Sequence, residues 1–76
     1  MEKLLEFLVE NITGIEDYEI ETDMQGDIYE FVIKVPDDEA GLIIGKKGKT
    51  IRIIRNLLKV KATLERKRVN IVVNST

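Results

Sequence analysis

Residues 43–51 run Ile43-Ile44-Gly45-Lys46-Lys47-Gly48-Lys49-Thr50-Ile51. Glycines and lysines at this density bring backbone and positive charge next to phosphate, and two arrangements share that chemistry. One is the loop of nucleoside-triphosphate enzymes, which needs a glycine, four residues, then Gly-Lys-Ser/Thr. Gly48-Lys49-Thr50 supplies the end, but the leading glycine would have to stand where Ile43 is. Gly41 and Gly45 are both out of register, and the parallel sheet such a loop follows is larger than this chain can build. The other arrangement is a tight Gly-x-x-Gly turn between two helices. Gly45 and Gly48 would let the backbone approach a phosphodiester without a side chain in the way. A helix starting at Gly48 would aim its free N–H groups and positive dipole end at the same place. Lys46 and Lys47 would project from the tip. A helix-turn-helix corner whose lysines only solubilise it would carry the same residues, so the flanks decide.

Upstream, Leu4, Leu5, Leu8 and Ile12 fall at helical spacing over about residues 2–12, and Gly14 stands where a helix-ending glycine would. A strand is predicted over about 16–24, with Tyr18, Ile20, Thr22 and Met24 alternating with Glu19, Glu21 and Asp23. Gln25-Gly26-Asp27 is a turn. The next strand, about 28–35, carries Tyr29, Phe31, Ile33 and Val35 on one face. Its other face (Ile28, Glu30, Val32, Lys34) is half apolar, and Pro36 stops it. Asp37 is read as the cap of a short helix over about 38–44, with Asp38 and Glu39 in its first turn. Downstream of the glycines comes a helix over about 49–62, then a strand over about 68–74 in which Val69, Ile71 and Val73 alternate with Asn70, Val72 and Asn74. The two-helix connection between the last two strands is long enough for a parallel crossover. The fold class is α+β: one domain over residues 1–76, two layers, order αββααβ, with helices packed on one face of a three-stranded mixed sheet.

Charge is divided along the chain. Residues 1–44 hold thirteen acidic and two basic side chains, and residues 45–76 hold ten basic and one acidic, so the net charge of -2 hides an acidic half and a basic half. A polyanion answers to the local field, and the basic half is the part that contains the glycine turn. The absence of cysteine and histidine removes disulfides, thiol nucleophiles, zinc-type ligand sets and the commonest general base. No nucleophile–base–orienter set is visible, so no enzyme activity, cofactor or metal is expected. Glu2, Glu6 and Glu10 make the first helix neither a signal peptide nor a membrane span, and a cytoplasmic location without membrane association is the expectation.

In this element order the nine-residue run resembles the KH domain, an RNA- and single-stranded-DNA-binding module, in its bacterial type II form. The resemblance spans essentially the whole chain. The small size, with Ile51-Arg52, Ile54-Arg55-Asn56-Leu57-Leu58 and then Lys67-Arg68-Val69-Asn70, is similar to the KhpA family of small bacterial KH proteins. That resemblance implies an RNA chaperone or global RNA binder. It also implies a homodimer, and a heteromer with a larger Jag-type KH protein. It further implies that Gly45, Lys46, Lys47 and Gly48 clamp single-stranded RNA, a KH loop holding about four nucleotides of backbone.

On the long helix Arg52, Arg55 and Lys59 form a basic stripe that starts at the turn, with Lys49 close by. Lys49 and Arg52 are read as phosphate contacts and Arg55 as the next position along. Ile43, Ile44, Ile51, Val32 and Val35 are candidates for the aliphatic groove wall. The aromatics Phe7, Tyr18, Tyr29 and Phe31 are read as core. Arg66, Lys67 and Arg68 are read as a solvated turn, with an extension of the basic field as the alternative. The apolar side of the helix has two rows, Ile51, Ile54 and Leu58, and Ile53, Leu57, Val60 and Leu64. One row faces the sheet. The other is left for the first helix, the groove floor or a second subunit, and Ile53 and Val60 are the candidate dimer contacts. A second reading follows: a protein-interaction module in which the fold serves homo- or heterodimer assembly.

Overall fold

The computed structural model describes residues 1–75. Helix α1 (Glu2–Thr13) is followed by strands β1 (Glu19–Gln25) and β2 (Ile28–Val35), helix α2 (Asp37–Ile44), a single 3₁₀ turn (Lys46–Gly48), helix α3 (Lys49–Leu64) and strand β3 (Arg68–Ser75). The sheet order is β1-β2-β3, with β1 antiparallel and β3 parallel to the central β2. This is the αββααβ, type II KH architecture that the sequence predicts.

Helix α1 ends as its glycine requires. Gly14 is left-handed (φ 76°, ψ 5°) and its N–H donates to the Glu10 carbonyl at 3.0 Å. The chain then drops Ile15 into the core. Residues 16–18, expected in the first strand, stay outside it. The β1–β2 ladder begins at Glu19↔Lys34, and Pro36, just past the end of β2, has no N–H with which to extend it. Gly26 and Asp27 close the hairpin, Gly26 at φ 63°. The Asp27 carbonyl accepts from the Arg68 N–H at 2.8 Å, which ties the hairpin to the start of β3.

The start of α2 corrects one expectation. Asp37 is the first helical residue and not the cap; Pro36 holds the cap position (φ -61°, ψ 149°), and no side chain caps the helix. The Pro36 carbonyl takes the first helical bonds, from the Glu39 and Ala40 N–H groups. Asp37, Asp38 and Glu39 all lie in the first turn, where negative charge suits the positive end of the helix dipole.

The core lies between the helices and one face of the sheet. Phe31, Ile33 and Val35 from β2 and Ile71 from β3 meet Leu5, Leu8 and Val9 of α1, Ile43 of α2, and Ile54 and Leu58 of α3. Tyr29 stacks on Phe31 with ring centroids 5.9 Å apart, and Tyr18 is half-buried at the margin. Burial, then the Glu10 and Glu6 carboxylates, push the Tyr18 hydroxyl pKa above its ordinary value. Phe7, expected in the core, is 59% exposed. The buried residues Leu5, Leu8 and Val9 share one side of α1, and a residue two positions past Leu5 points the other way.

Candidate nucleic-acid interface

The turn between α2 and α3 has a backbone that its glycines make possible. The Gly45 N–H donates to the Gly41 carbonyl at 2.8 Å and closes α2. Gly45 itself then turns to φ 76°, ψ 173°, a region that only glycine occupies. A Cβ there would lie 2.2 Å from Thr50 Oγ1 and 2.8 Å from the Thr50 backbone nitrogen, so neither conformation nor space admits another residue. The Gly45 carbonyl accepts from the Gly48 N–H at 3.1 Å, and Gly48 (φ 75°, ψ 17°) caps α3. Between them Lys47 also takes a left-handed conformation, φ 57°, ψ 25°, which costs a lysine about 1–2 kcal/mol.

Lys46 and Lys47 are exposed at the tip of this turn. Behind them the sixteen-residue α3 presents its N-terminus with no acidic residue in its first turn. Its free N–H groups and dipole add to the charge of Lys49 and Arg52, both exposed. The acids of α2 lie at its other end, about 10 Å away at the rise of an α-helix. The salt bridges among the described residues are Lys34–Glu21 (3.0 Å) and Lys61–Glu65 (3.6 Å), and neither touches the turn or the stripe of Arg52, Arg55 and Lys59. The result is a positive ridge running from the turn along α3. No group of three or more His, Cys, Asp or Glu side chains is placed to hold a metal among the described residues.

The aliphatic residues divide in a way the pattern did not show. Ile44 is 40% exposed beside the turn, and Ile51 is half-buried one helical turn on. Ile43 and Val35 are buried in the core, where they support the site from beneath and offer no surface to a ligand. Val32 is on the other side of the sheet. It alternates with Phe31, Ile33 and Val35, which face the helices, so Val32 faces away from the turn. Helices α2 and α3 both rest on β3, whose outer edge is unpaired, so the exposed surface beside Ile44 and Ile51 runs toward that strand. Thr50 is the residue the sequence did not single out. Its contact with Gly45 depends on the φ and ψ of the turn, which no residue spacing reveals.

The second apolar row of α3 stays uncovered. Ile53, Leu57, Val60 and Leu64 are 51, 47, 62 and 77% exposed, although α1 packs against α3. The buried side of the helix is Ile54, Leu58 and Ala62. A hollow of about 450 Å³ opens beside the C-terminal end of that row, lined by Asn56, Lys59, Val60, Thr63 and Leu64. The basic stripe and the apolar row occupy different sectors of α3, with Asn56 and Thr63 between them.

The family of KhpA/KhpB KH domains matches residues 2–73. The chain belongs to that family. A comparison with curated proteins gives no match. As a KhpA/KhpB KH domain the chain is of an RNA-binding family and not of an enzyme class. The match includes the turn Gly45–Gly48, whose first position admits nothing but glycine.

Proposed function

We propose that this KH domain binds single-stranded RNA by its Gly45-Lys46-Lys47-Gly48 turn and works in the cytoplasm as an RNA chaperone or post-transcriptional regulator. The observation that carries this reading is the turn itself. It is a narrow backbone corner with two exposed lysines, set on the N-terminus of a sixteen-residue helix that no side chain caps, and without a carboxylate partner among the described residues. Phosphate can approach the backbone at Gly48, while Lys46, Lys47, Lys49 and Arg52 neutralise it and Arg55 continues the path. Ile44 and Ile51 offer aliphatic contact to bases. Without a row of exposed aromatics beside the turn, base selection rests on shape and is permissive. The test is fluorescence anisotropy with short single-stranded RNA and matched DNA. Lys46→Asp plus Lys47→Asp should remove binding while circular dichroism stays native. Equal binding by the folded variant would sink the proposal.

A second reading rests on the bare row of α3. Ile53, Leu57, Val60 and Leu64 form a continuous apolar strip of the kind that two copies can share about a two-fold axis, or that a second KH protein of the Jag type can cover. Ile53→Asp plus Val60→Asp should then lower the mass seen in light scattering to that of one chain. An unchanged dimer mass would place the contact elsewhere, and a natural chain already monomeric would exclude the homodimer.

A further inference from the structure

The helices leave one face of the sheet bare, and its rows can be read across the three strands from the register. Glu21, Val32 and Val72 form one row. Asp23, Glu30 and Asn70 form the next. Val72 is half exposed, at 50%, and a hollow of about 310 Å³ opens over Val32 between Glu21, Asp23 and Glu30. An edge strand carries charge to prevent sheet-to-sheet aggregation, and that accounts for the acids of β1. It does not account for Glu30 on the central strand, nor for Val32 on that strand beside Val72 on the edge strand β3. An apolar patch flanked by polar and charged side chains is the anatomy of a protein interface. The β1 side of the face is negative, with Glu19, Glu21, Asp23 and the neighbouring Glu30, while Lys34 and Arg68 stand at its two ends. Of its carboxylates only Glu21 has a salt bridge among the described residues, to Lys34.

We propose that this bare sheet face docks a cationic amphipathic helix of a protein partner, on the side of the domain away from the glycine turn. Four acids against two bases on this face disfavour RNA there. The dimensions fit a helix: three strands about 4.8 Å apart span about 10 Å, the width of one helix. Apolar residues at helical spacing would rest on Val32 and Val72, and lysines or arginines along the flank would meet Glu21, Asp23 and Glu30. The same helix is repelled from the exposed row of α3, which Lys49, Lys59 and Lys61 surround. The partner and RNA would therefore be held at once, on opposite layers.

The test uses the full chain labelled with ¹⁵N and a synthetic Leu/Lys amphipathic peptide of about four helical turns, with a Leu/Glu version as control. The Leu/Lys peptide should shift the resonances of Glu30, Val32 and Val72, and the Leu/Glu peptide should not. Glu30→Gln plus Val72→Ser should weaken the peptide at least fivefold. Because both residues are on the surface, circular dichroism should stay native; Glu21→Gln plus Asp23→Asn, at the rim, serves as a second variant. Shifts confined to α1 or α3, or equal affinity for the folded variants, would overturn the proposal. Concentration-dependent shifts on this face without peptide would show that a second copy is the occupant, and would overturn it as well.

Discussion

Gly45 is held by two constraints and Gly48 by one. At Gly45 the backbone is in a glycine-only region and Thr50 fills the space a Cβ would need. At Gly48 the space is open and only the positive φ stands against a side chain. Gly48→Ala should therefore cost about 1–2 kcal/mol, the left-handed penalty. Gly45→Ala should cost about 3 kcal/mol or more, since overpacking adds to the strain. Urea unfolding of the two variants measures the difference, and equal losses would contradict the geometry. Lys47 supplies the converse case. A lysine held left-handed is a strained choice, and Lys47→Gly should leave stability unchanged or raise it by up to about 1 kcal/mol. The same change should weaken RNA in the anisotropy assay. The glycines were legible in the sequence because their reason is steric. Thr50 was not, because its reason is a through-space contact. Ile43 and Val35 look like Ile44 in a pattern of aliphatics, and only burial separates a residue that supports the site from one that lines it.

Helix α3 presents three kinds of surface on one cylinder. Ile54 and Leu58 are fully buried, Ile53 and Val60 are more than half exposed, and the basic stripe runs along another sector. Ile54→Ala and Leu58→Ala should each cost about 2–5 kcal/mol as core cavities. Ile53→Asp and Val60→Asp should stay within about 0.5 kcal/mol for the isolated domain, as surface changes do. A large loss from the second pair, measured at low protein concentration, would mean that the row is covered within one chain. The sequence showed that α3 had more apolar surface than one contact needs, since two rows are visible at helical spacing. It could not show which neighbour leaves a row bare, because that depends on where α1 lies. The same limit misplaced Phe7. Aromatic character argued for the core, while the spacing of Leu5, Leu8 and Val9 put Phe7 on the far side of its helix.

Across the whole molecule the two charged halves of the sequence become two regions of the surface. The turn and α3 carry the positive charge. Strand β1 and Glu30 carry much of the negative, and α1 adds Glu2 beside Thr22 of β1 and Glu6 and Glu10 beside Tyr18. RNA binding at the turn should be strongly salt-dependent. With about four phosphates neutralised, log K should fall against log salt with a slope near -3, and Lys46→Asp plus Lys47→Asp should reduce its magnitude by at least about 1.4 if any binding survives. A slope near zero in the natural chain would mean that affinity comes from stacking or apolar contact. The net charge of -2 gives no hint of this behaviour, whereas the division between residues 1–44 and 45–76 does. Element order and strand pairing were legible too, because the period of two in the strands and the length of the crossover leave few topologies.

The parallel pairing of β2 with β3 has a consequence in time. Every pair in that ladder joins residues forty positions apart, from Ile28↔Arg68 to Val35↔Ser75. The glycine turn lies inside the intervening segment. Closing so long a segment costs entropy before any bond of the ladder forms, and non-local pairing of this kind is slow. On a growing chain the hairpin of β1 and β2 follows α1, and β3, which completes the sheet, follows α2 and α3, so β2 waits with an open edge. The turn can take its shape early, but α2 and α3 have no floor beneath them until β3 arrives. A turn seated on a complete layer therefore reports that synthesis has passed β3.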